Sequence, residues 1–139
     1  MTWRKLGHLF APSGELAWAR SHAANPVPEH LDGNRFRVYF SARDEQNRSS
    51  IGTLVLELSD SPRVVEVAKA PVLSPGPQGA FDDCGASVAC LLRVGEARYL
   101  YYMGWHLTHD VPWRNAIGVA ISAEPGVPFE RYYEGPLIG

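Results

Sequence analysis

The sequence predicts an all-β fold, and three observations support that prediction. Apolar and aromatic runs of about 5–8 residues recur along the chain between glycines and charged turns, which is typical of strands joined as hairpins. The 139 residues include eleven prolines and thirteen glycines at short intervals, a distribution that argues against long helices. The chain also resembles itself at a regular offset, which indicates a repeated β unit.

The candidate strands follow one another through short connections, without the alternation of strands and helices that a parallel sheet would need. Glu15–Ala24 is the one segment with helical features. Its apolar residues do not recur every 3.6 positions and Pro26 follows at once, so we expect no helix there. The predicted strands are Ser21–Val27, Arg35–Ser41, Ile51–Leu58, Val64–Ala68, Ala86–Arg93, Arg98–Gly104, Ala116–Ser122 and Phe129–Tyr133.

The internal repeat has an offset of about 62 to 66 residues. Val38–Ser41 matches Leu100–Met103, and Ser50–Thr53 matches Ala116–Val119. Each copy contains four strands, which is the content of one propeller blade with its connections. The first blade is expected over about residues 9–70 and the second over about residues 71–135. The linker segments repeat as well: Leu9–Gly14, Val72–Gly76 and the beginning of a third copy at Pro136–Gly139.

Composition excludes several functional classes. A chain of 15.3 kDa with a net charge of -2 and an isoelectric point near 6.2 has no electrostatic footprint for nucleic acid. No apolar run approaches the roughly 20 residues that span a bilayer, and the N-terminal segment lacks the apolar core of a secretory signal. We therefore expect a cytoplasmic protein with no membrane association, whose only cysteines, Cys84 and Cys90, are reduced thiols.

Six motifs together carry a resemblance to a known group of proteins: HAANP, RVYFSARDEQNRSSIG, PVLSPGPQGAFDDCG, YLYYMGW, WRNAIGVAIS and FERYYEGPLI. They resemble the N-terminal half of bacterial glycosidase-related five-bladed β-propeller proteins. That superfamily includes arabinanases, β-xylosidases, invertases and mannoside phosphorylases. The resemblance implies two blades of a five-bladed type of propeller and a carbohydrate ligand, with no cofactor.

The resemblance also implies a departure from the family pattern. Related hydrolases place carboxylates on the inner strands of three successive blades around a central funnel, and this sequence reaches only the beginning of a third blade. Two blades leave open sheet edges that water or another chain must satisfy. The chain is accordingly expected to be a fragment or truncated product, or to form a homo-oligomer that completes the propeller.

Asp82 and Asp83 are the candidate catalytic residues. Glycoside cleavage needs two carboxyl groups, about 5–5.5 Å apart for retention of configuration and 6.5–9.5 Å apart for inversion. Because successive residues of a strand face opposite sides, only one of the pair can face a funnel. We expect Asp83 to face inward and Asp82 to orient a neighbour or cap a turn. The alternative is a solvated acidic turn.

Further candidates for substrate binding lie in the first repeat. By the resemblance, His22 would line the funnel floor and contact a sugar hydroxyl, although related hydrolases often carry an Asp there; a buried structural histidine is the alternative. Arg43, Asp44 and Arg48 follow a strand, where an Arg–Asp couple is usually a weak surface pair. At the funnel mouth, the same arginines could bind a hydroxyl, carboxylate or phosphate through a forked geometry.

The loop of the second repeat combines aromatic, amide and cationic side chains, as a carbohydrate site requires. Aromatic rings stack on the apolar faces of sugars, while Arg and Asn satisfy hydroxyls. A metal cluster of His106, His109 and Asp110 is the weaker alternative, because their spacing is not a recognised ligand set. Packing of the tryptophans over the blade edge is another. The preferred sugar contacts are Trp105, Arg114 and Asn115, with His106, His109 and Trp113 in the same loop.

Two function hypotheses from different classes remain open. The first is a glycosidase-like module that recognises a carbohydrate and cleaves or transfers a glycoside if another chain supplies a second carboxylate. The second is a non-catalytic sugar-binding or oligomeric assembly module, or an inactive remnant. Glu134 could contribute a carboxylate, but a surface charge at a strand end is the preferred interpretation.

Overall fold

The computed structural model describes residues 2–125 and 127–139, and every regular element within them is a β-strand. This confirms the predicted all-β class. Within the described residues, no helix is long and apolar enough to cross a membrane. The strands are β1 (Ser21–Asp32), β2 (Arg35–Arg43), β3 (Ser49–Glu57), β4 (Arg63–Val67), β5 (Gly85–Val94), β6 (Ala97–His106), β7 (Arg114–Ser122) and β8 (Glu130–Arg131).

The strands form two antiparallel four-stranded units of consecutive hairpins. Strands β1 to β4 pair in chain order and constitute the first blade, and strands β5 to β8 pair in the same way in the second. A parallel bridge between Ser49 of β3 and Gly85 of β5 joins the units into one eight-stranded sheet. The two blades predicted from the repeat are therefore present.

The strand register repeats the internal match of the sequence. In the first blade, Tyr39 pairs with Thr53. In the second, Tyr101 pairs with Val119, and each of these residues is the sequence match of its counterpart. The linker segments also bind to equivalent strands in the two repeats. Ile51 N donates to the carbonyl of Leu73 at 2.8 Å. Ile117 N likewise donates to the carbonyl of Ile138, at 2.7 Å.

The larger apolar cluster packs the two blades together. It contains Tyr39 and Ile51 from the first blade and Val88, Leu100 and Tyr102 from the second, all nearly inaccessible to solvent. Moving the two blades apart would expose these apolar side chains to water. Their burial therefore stabilises the position of one blade against the other.

The second cluster lies on the other face of the first blade. Phe40 and Leu54 of the sheet pack there under Phe10 and Trp18 from the segment that precedes β1. The Trp18 ring lies directly on Gly52, where a side chain would collide with it. The apolar residues of the N-terminal segment thus cover a sheet face, which explains why they lack a helical stripe.

Strand β1 is longer and less regular than expected. It extends to Asp32, and its pairing with β2 is interrupted between Ser21 and Val27 by bulges. His22 and Asn25 have φ angles of 65° and 53°, the left-handed region that non-glycine residues rarely adopt. Extra residues in a bulge bend a strand and redirect its side chains, and such irregularities concentrate near functional sites.

Candidate functional site

A cleft of about 540 Å³ lies between the two blades, and we call it the interblade cleft. One wall is the hairpin loop between β2 and β3, and the other is the end of the β6–β7 hairpin. Its floor contains Cys84, Ser87 and Met103. The walls bring together Arg43, Asn47, Arg48, Trp105, Trp113 and Asn115.

Trp105 is held rigidly in the cleft by contacts with the first blade. Its indole Nε1 donates to Ser49 Oγ at 3.2 Å, and its backbone carbonyl accepts a hydrogen bond from Cys84 N at 3.1 Å. The guanidinium carbon of Arg43 lies 5.9 Å from the centre of the indole ring, within the range of a cation–π contact. The indole ring therefore has a fixed orientation, and the Arg43 guanidinium lies over one of its faces.

Arg43 is positioned by Asn47 as well as by the indole. Its Nη1 donates to Asn47 Oδ1 at 2.9 Å. Asn47 has a φ of 64° and occupies the tight part of the β2–β3 loop, where Asn is one of the few residues that tolerates the left-handed conformation. The backbone turn thus places an amide oxygen where it can orient the guanidinium.

Asp44 organises the same loop without lining the cleft. Its carboxylate accepts hydrogen bonds from Arg48 N at 2.8 Å and from Arg48 Nε at 3.0 Å, and Nη2 lies 2.9 Å away. The pair is partly exposed on the arginine side, so its direct contribution to stability is modest. Its structural effect is to fix Arg48 at the rim of the cleft.

The remaining lining makes the cleft apolar on one side and polar on the other. Trp113 is 58% exposed, and Asn115 is two residues further along the chain, near the start of β7. Met103 and Trp105 are two positions apart on β6 and therefore face the same side of the sheet. On the floor, burial raises the pKa of the Cys84 thiol above its ordinary value, with the neighbouring Asp83 acting in the same direction.

Asp82 is completely buried and bound by neighbouring side chains. Its Oδ2 accepts hydrogen bonds from Arg131 Nε at 2.8 Å and from the Tyr102 hydroxyl at 3.1 Å. Oδ1 has no hydrogen-bond partner among the described residues and lies against Gly76. Burial raises the pKa of Tyr102 above its ordinary value, and the adjacent carboxylate adds to the shift.

Asp83 is half-buried and points elsewhere. Its Oδ2 accepts a hydrogen bond from Gly79 N at 2.9 Å. Both aspartates lie in the turn that immediately precedes β5, not on the strand, so the turn rather than the pleat separates their side chains. Asp83 is not part of the cleft lining, but the next residue in the chain, Cys84, is.

The other predicted residues lie outside the cleft lining. His22 is exposed and its Nδ1 is 2.9 Å from Ser21 Oγ. Arg114 is exposed at 3.7 Å from Asp110. Glu134 lines a separate cavity of about 480 Å³ together with Asp82.

The loop histidines contact different parts of the chain. His106 Nδ1 lies 3.1 Å from the carbonyl of Phe81, whereas His109 projects into solvent beside Asp110. Within residues 2–125 and 127–139, no group of three or more His, Cys, Asp or Glu side chains could hold a metal ion.

Sequence reasoning did not select Asn47, Cys84, Ser87 or Met103 as site residues. Sequence signals were present for two of these residues, Met103 and Asn47. Met103 is two positions before Trp105 on the same strand, and Asn47 lies between two arginines already chosen in a hairpin loop. Cys84 and Ser87 join the cleft only because β5 meets β3 at the bridge between the blades.

No protein-family model matches the chain. It is 55% identical over 138 residues to uncharacterised proteins from two strains of Mycobacterium tuberculosis, an alignment that covers 99% of this chain and 46% of each relative. The chain thus spans about half the length of the curated relatives it matches.

Two of the similar solved structures are glycoside hydrolases. A glycosyl hydrolase from Bacteroides ovatus has a TM-score of 0.70 and 17% identity, covering 96% of this chain and 40% of that protein. A family 117 glycoside hydrolase from Zobellia galactanivorans has a TM-score of 0.60 and 16% identity, covering 95% and 38%. At such identities the likeness concerns the fold alone. It confirms the predicted architecture: the chain has the fold of part of a glycosidase-related β-propeller.

Proposed function

We propose that this glycosidase-like module recognises a carbohydrate in the interblade cleft. The observation that supports the proposal most strongly is the fixed Trp105 ring with Arg43 beside it and Asn115 on the neighbouring strand. An apolar ring face binds the C–H surface of a sugar, and amide and guanidinium groups bind its hydroxyls. A small-molecule site typically combines such an apolar surface with a few fixed polar groups.

The rigidity of the cleft adds to this support. Trp105 is tied to Ser49, and Arg43 is tied to Asn47, so these side chains lose little conformational freedom when a ligand binds. Trp113, whose ring is largely exposed, is available as a second stacking surface.

The test is a calorimetric titration of the chain with oligosaccharides of different sugars and linkages. We expect at least one to bind, with an affinity that falls on the order of 10-fold or more in Trp105→Ala. Trp3→Ala is the matched control, because Trp3 is 97% exposed and lies outside the cleft. Equal loss in both variants, or unchanged affinity in Trp105→Ala, would contradict binding at this site.

The proposal extends to glycoside hydrolysis or transfer, with Asp83 as the leading catalytic carboxylate. None of the described residues that line the cleft is Asp or Glu, but Asp83 immediately precedes Cys84, which lines it. A second carboxylate would come from another chain. Asp83→Asn keeps an oxygen that can accept the hydrogen bond from Gly79 N, so we expect the variant to bind sugar normally but lack turnover. Turnover in that variant equal to the wild type would exclude the catalytic role.

The second candidate function is a non-catalytic binding or assembly module. Large apolar side chains of the second blade are exposed beyond β8, including Tyr132, Tyr133, Leu137 and Ile138. A further blade would bury this surface, and a second copy of the chain could supply it, giving the homo-oligomer. Light scattering on a sizing column measures the mass. A stable oligomer supports assembly, whereas a monodisperse monomer at micromolar concentration would contradict it.

A further inference from the structure

Arg43 is the cationic side chain of the interblade cleft that lacks a carboxylate partner. Arg48, the other arginine of the lining, is bound by Asp44 through its Nε and Nη2 atoms. Arg20, at the start of the first blade, pairs with Glu45 at 2.9 Å. Among the described residues, no carboxylate lies within ion-pair distance of Arg43, and none lines the cleft.

The orientation of Arg43 is set before any ligand arrives. Asn47 Oδ1 occupies one of the five guanidinium N–H donors, and the indole of Trp105 supports one side of the group. Arg43 is paired in register with Ser21 of β1 and with Ser49 of β3, so neighbouring strands hold its backbone from both sides. The remaining donors are thus fixed in a planar fork beside an aromatic ring.

We propose that the interblade cleft selects a sugar that carries a carboxylate, such as a uronic acid residue; this inference rests on the proposed carbohydrate recognition. The pyranose ring stacks on Trp105, and the carboxylate accepts two parallel hydrogen bonds from Arg43. A planar carboxylate matches the guanidinium fork, and hydrogen bonds between charged partners are about twice as strong as neutral ones. The amide of Asn115 remains for a hydroxyl group.

The charge balance favours a carboxylate over a phosphate. One unpaired arginine neutralises a single negative charge. A phosphate monoester carries about 1.5 to 2 negative charges at pH 7, which would leave an excess that the Asp44-bound Arg48 cannot offset. A sugar with one planar carboxylate on a stacking ring, as in the uronic acids, therefore matches the single unpaired arginine.

The experiment compares oligosaccharides that differ only at carbon 6, namely galacturonate against galactose and glucuronate against glucose. For the wild-type chain at low salt, one acidic oligosaccharide should bind on the order of 10-fold more tightly than its neutral counterpart. The preference should shrink as salt rises, since exposed charges are screened over about 10 Å at 0.1 M ionic strength.

Each outcome decides a different question. Equal affinity for the acidic and neutral members overturns the carboxylate inference and leaves carbohydrate recognition standing. Failure of every sugar to bind overturns both. Tighter binding of galactose 6-phosphate than of the galacturonate ligand also overturns the inference, because it identifies a phosphate site.

Substitution of Arg43 provides the residue-specific arm. Arg43→Gln should abolish the preference, because the affinity for the acidic sugar falls to that for the neutral sugar in the same variant. An unchanged midpoint of urea denaturation shows that the variant is still folded. Arg43→Lys keeps the charge but not the fork, so we expect a reduced preference. Arg35→Gln at the other end of β2 is the matched control and should leave the preference intact. A preference that survives in Arg43→Gln overturns the proposal.

Discussion

The side chains of Asp82 and Arg131 form an ion pair across the second blade, with Oδ2 of the aspartate 2.7 Å from Nη2 of the arginine. Asp82 lies in the turn before β5, and Arg131 is on the outermost strand, β8. The same guanidinium donates to the carbonyl of Ser74 at 2.6 Å and lies over the Tyr102 ring. The pair therefore ties the linker, the turn and the outer strand of the blade together.

Breaking this pair should destabilise the protein strongly. Asp82 is inaccessible to solvent, and removal of its partner in Arg131→Met would leave a buried charge uncompensated. We expect a loss of about 3–5 kcal/mol in the free energy of unfolding, measured by urea denaturation. Arg63→Met, which breaks an exposed pair with Glu57, is the control and should cost less than about 1 kcal/mol. Similar losses in the two variants would show that the buried pair has no special role.

The junction between the blades should be sensitive to the size of residue 85. A side-chain carbon at Gly85 would lie 2.5 Å from Ser49 N and 2.6 Å from Trp105 Nε1, so β5 could not approach β3 as closely. We expect Gly85→Ala to lower the free energy of unfolding by about 1–3 kcal/mol, the usual cost of overpacking.

Carbohydrate affinity is the more specific readout of Gly85→Ala. Moving β5 away from β3 would also move Trp105 away from Ser49. Gly95→Ala serves as the control for backbone strain, since Gly95 also has a positive φ and nothing contacts its missing side chain. Carbohydrate affinity should fall in Gly85→Ala and remain in Gly95→Ala. Normal affinity in both would mean that the junction does not shape the cleft.

Stability should decline in alkaline solution. Burial raises the pKa values of Tyr39 and Tyr102 above their ordinary value, with the carboxylates of Glu29 and Asp82 adding to the respective shifts. The folded state therefore favours the neutral phenols. Their contribution to the free energy of unfolding is complete below the unfolded pKa of about 10 and is lost as pH rises further. Urea denaturation between pH 8 and 11 measures the effect.

Substitution of one phenol separates this effect from general alkaline damage. Tyr102→Phe should be less stable at pH 8 because Asp82 loses a hydrogen bond, but its decline above pH 10 should be shallower. Tyr132→Phe removes an exposed phenol and should reproduce the wild-type profile. An identical slope in all three proteins would contradict the assignment.

The two thiols should differ in reactivity. Cys90 is exposed, whereas burial at the floor of the cleft raises the pKa of Cys84 and lowers its thiolate fraction. We expect iodoacetamide at pH 8 to alkylate Cys90 first, as followed by peptide mass spectrometry. A carbohydrate bound in the cleft should slow the reaction at Cys84 and leave Cys90 unaffected. Equal protection of both thiols would place the ligand elsewhere.

Much of the fold could be predicted because it depends on local patterns and on the repeat. The match of Tyr39 with Tyr101, and of Ile51 with Ile117, implies equivalent registers in both blades, and the structure has them. The bulges of β1 could not be predicted, since nothing in the types of His22 and its neighbours requires a left-handed backbone.

The candidate site was less accessible to sequence reasoning because its contacts cross between elements. The Arg43–Trp105 contact depends on the bridge that joins the blades. The burial of Asp82 depends on Arg131, which is 49 residues further along the chain. The sequence pattern marks both aspartates as candidates, but only the tertiary arrangement distinguishes the fully buried Asp82 from the half-buried Asp83.

The most direct test of carbohydrate recognition is a nuclear magnetic resonance titration that resolves the four indole N–H groups. A binding oligosaccharide should shift the Trp105 and Trp113 signals in a saturable manner. Trp3 is exposed away from the cleft, and Trp18 donates its N–H to the carbonyl of Lys69 at 3.1 Å, so their signals should not move. Saturable shifts confined to Trp3 or Trp18, with Trp105 unchanged, would contradict a carbohydrate site between the blades.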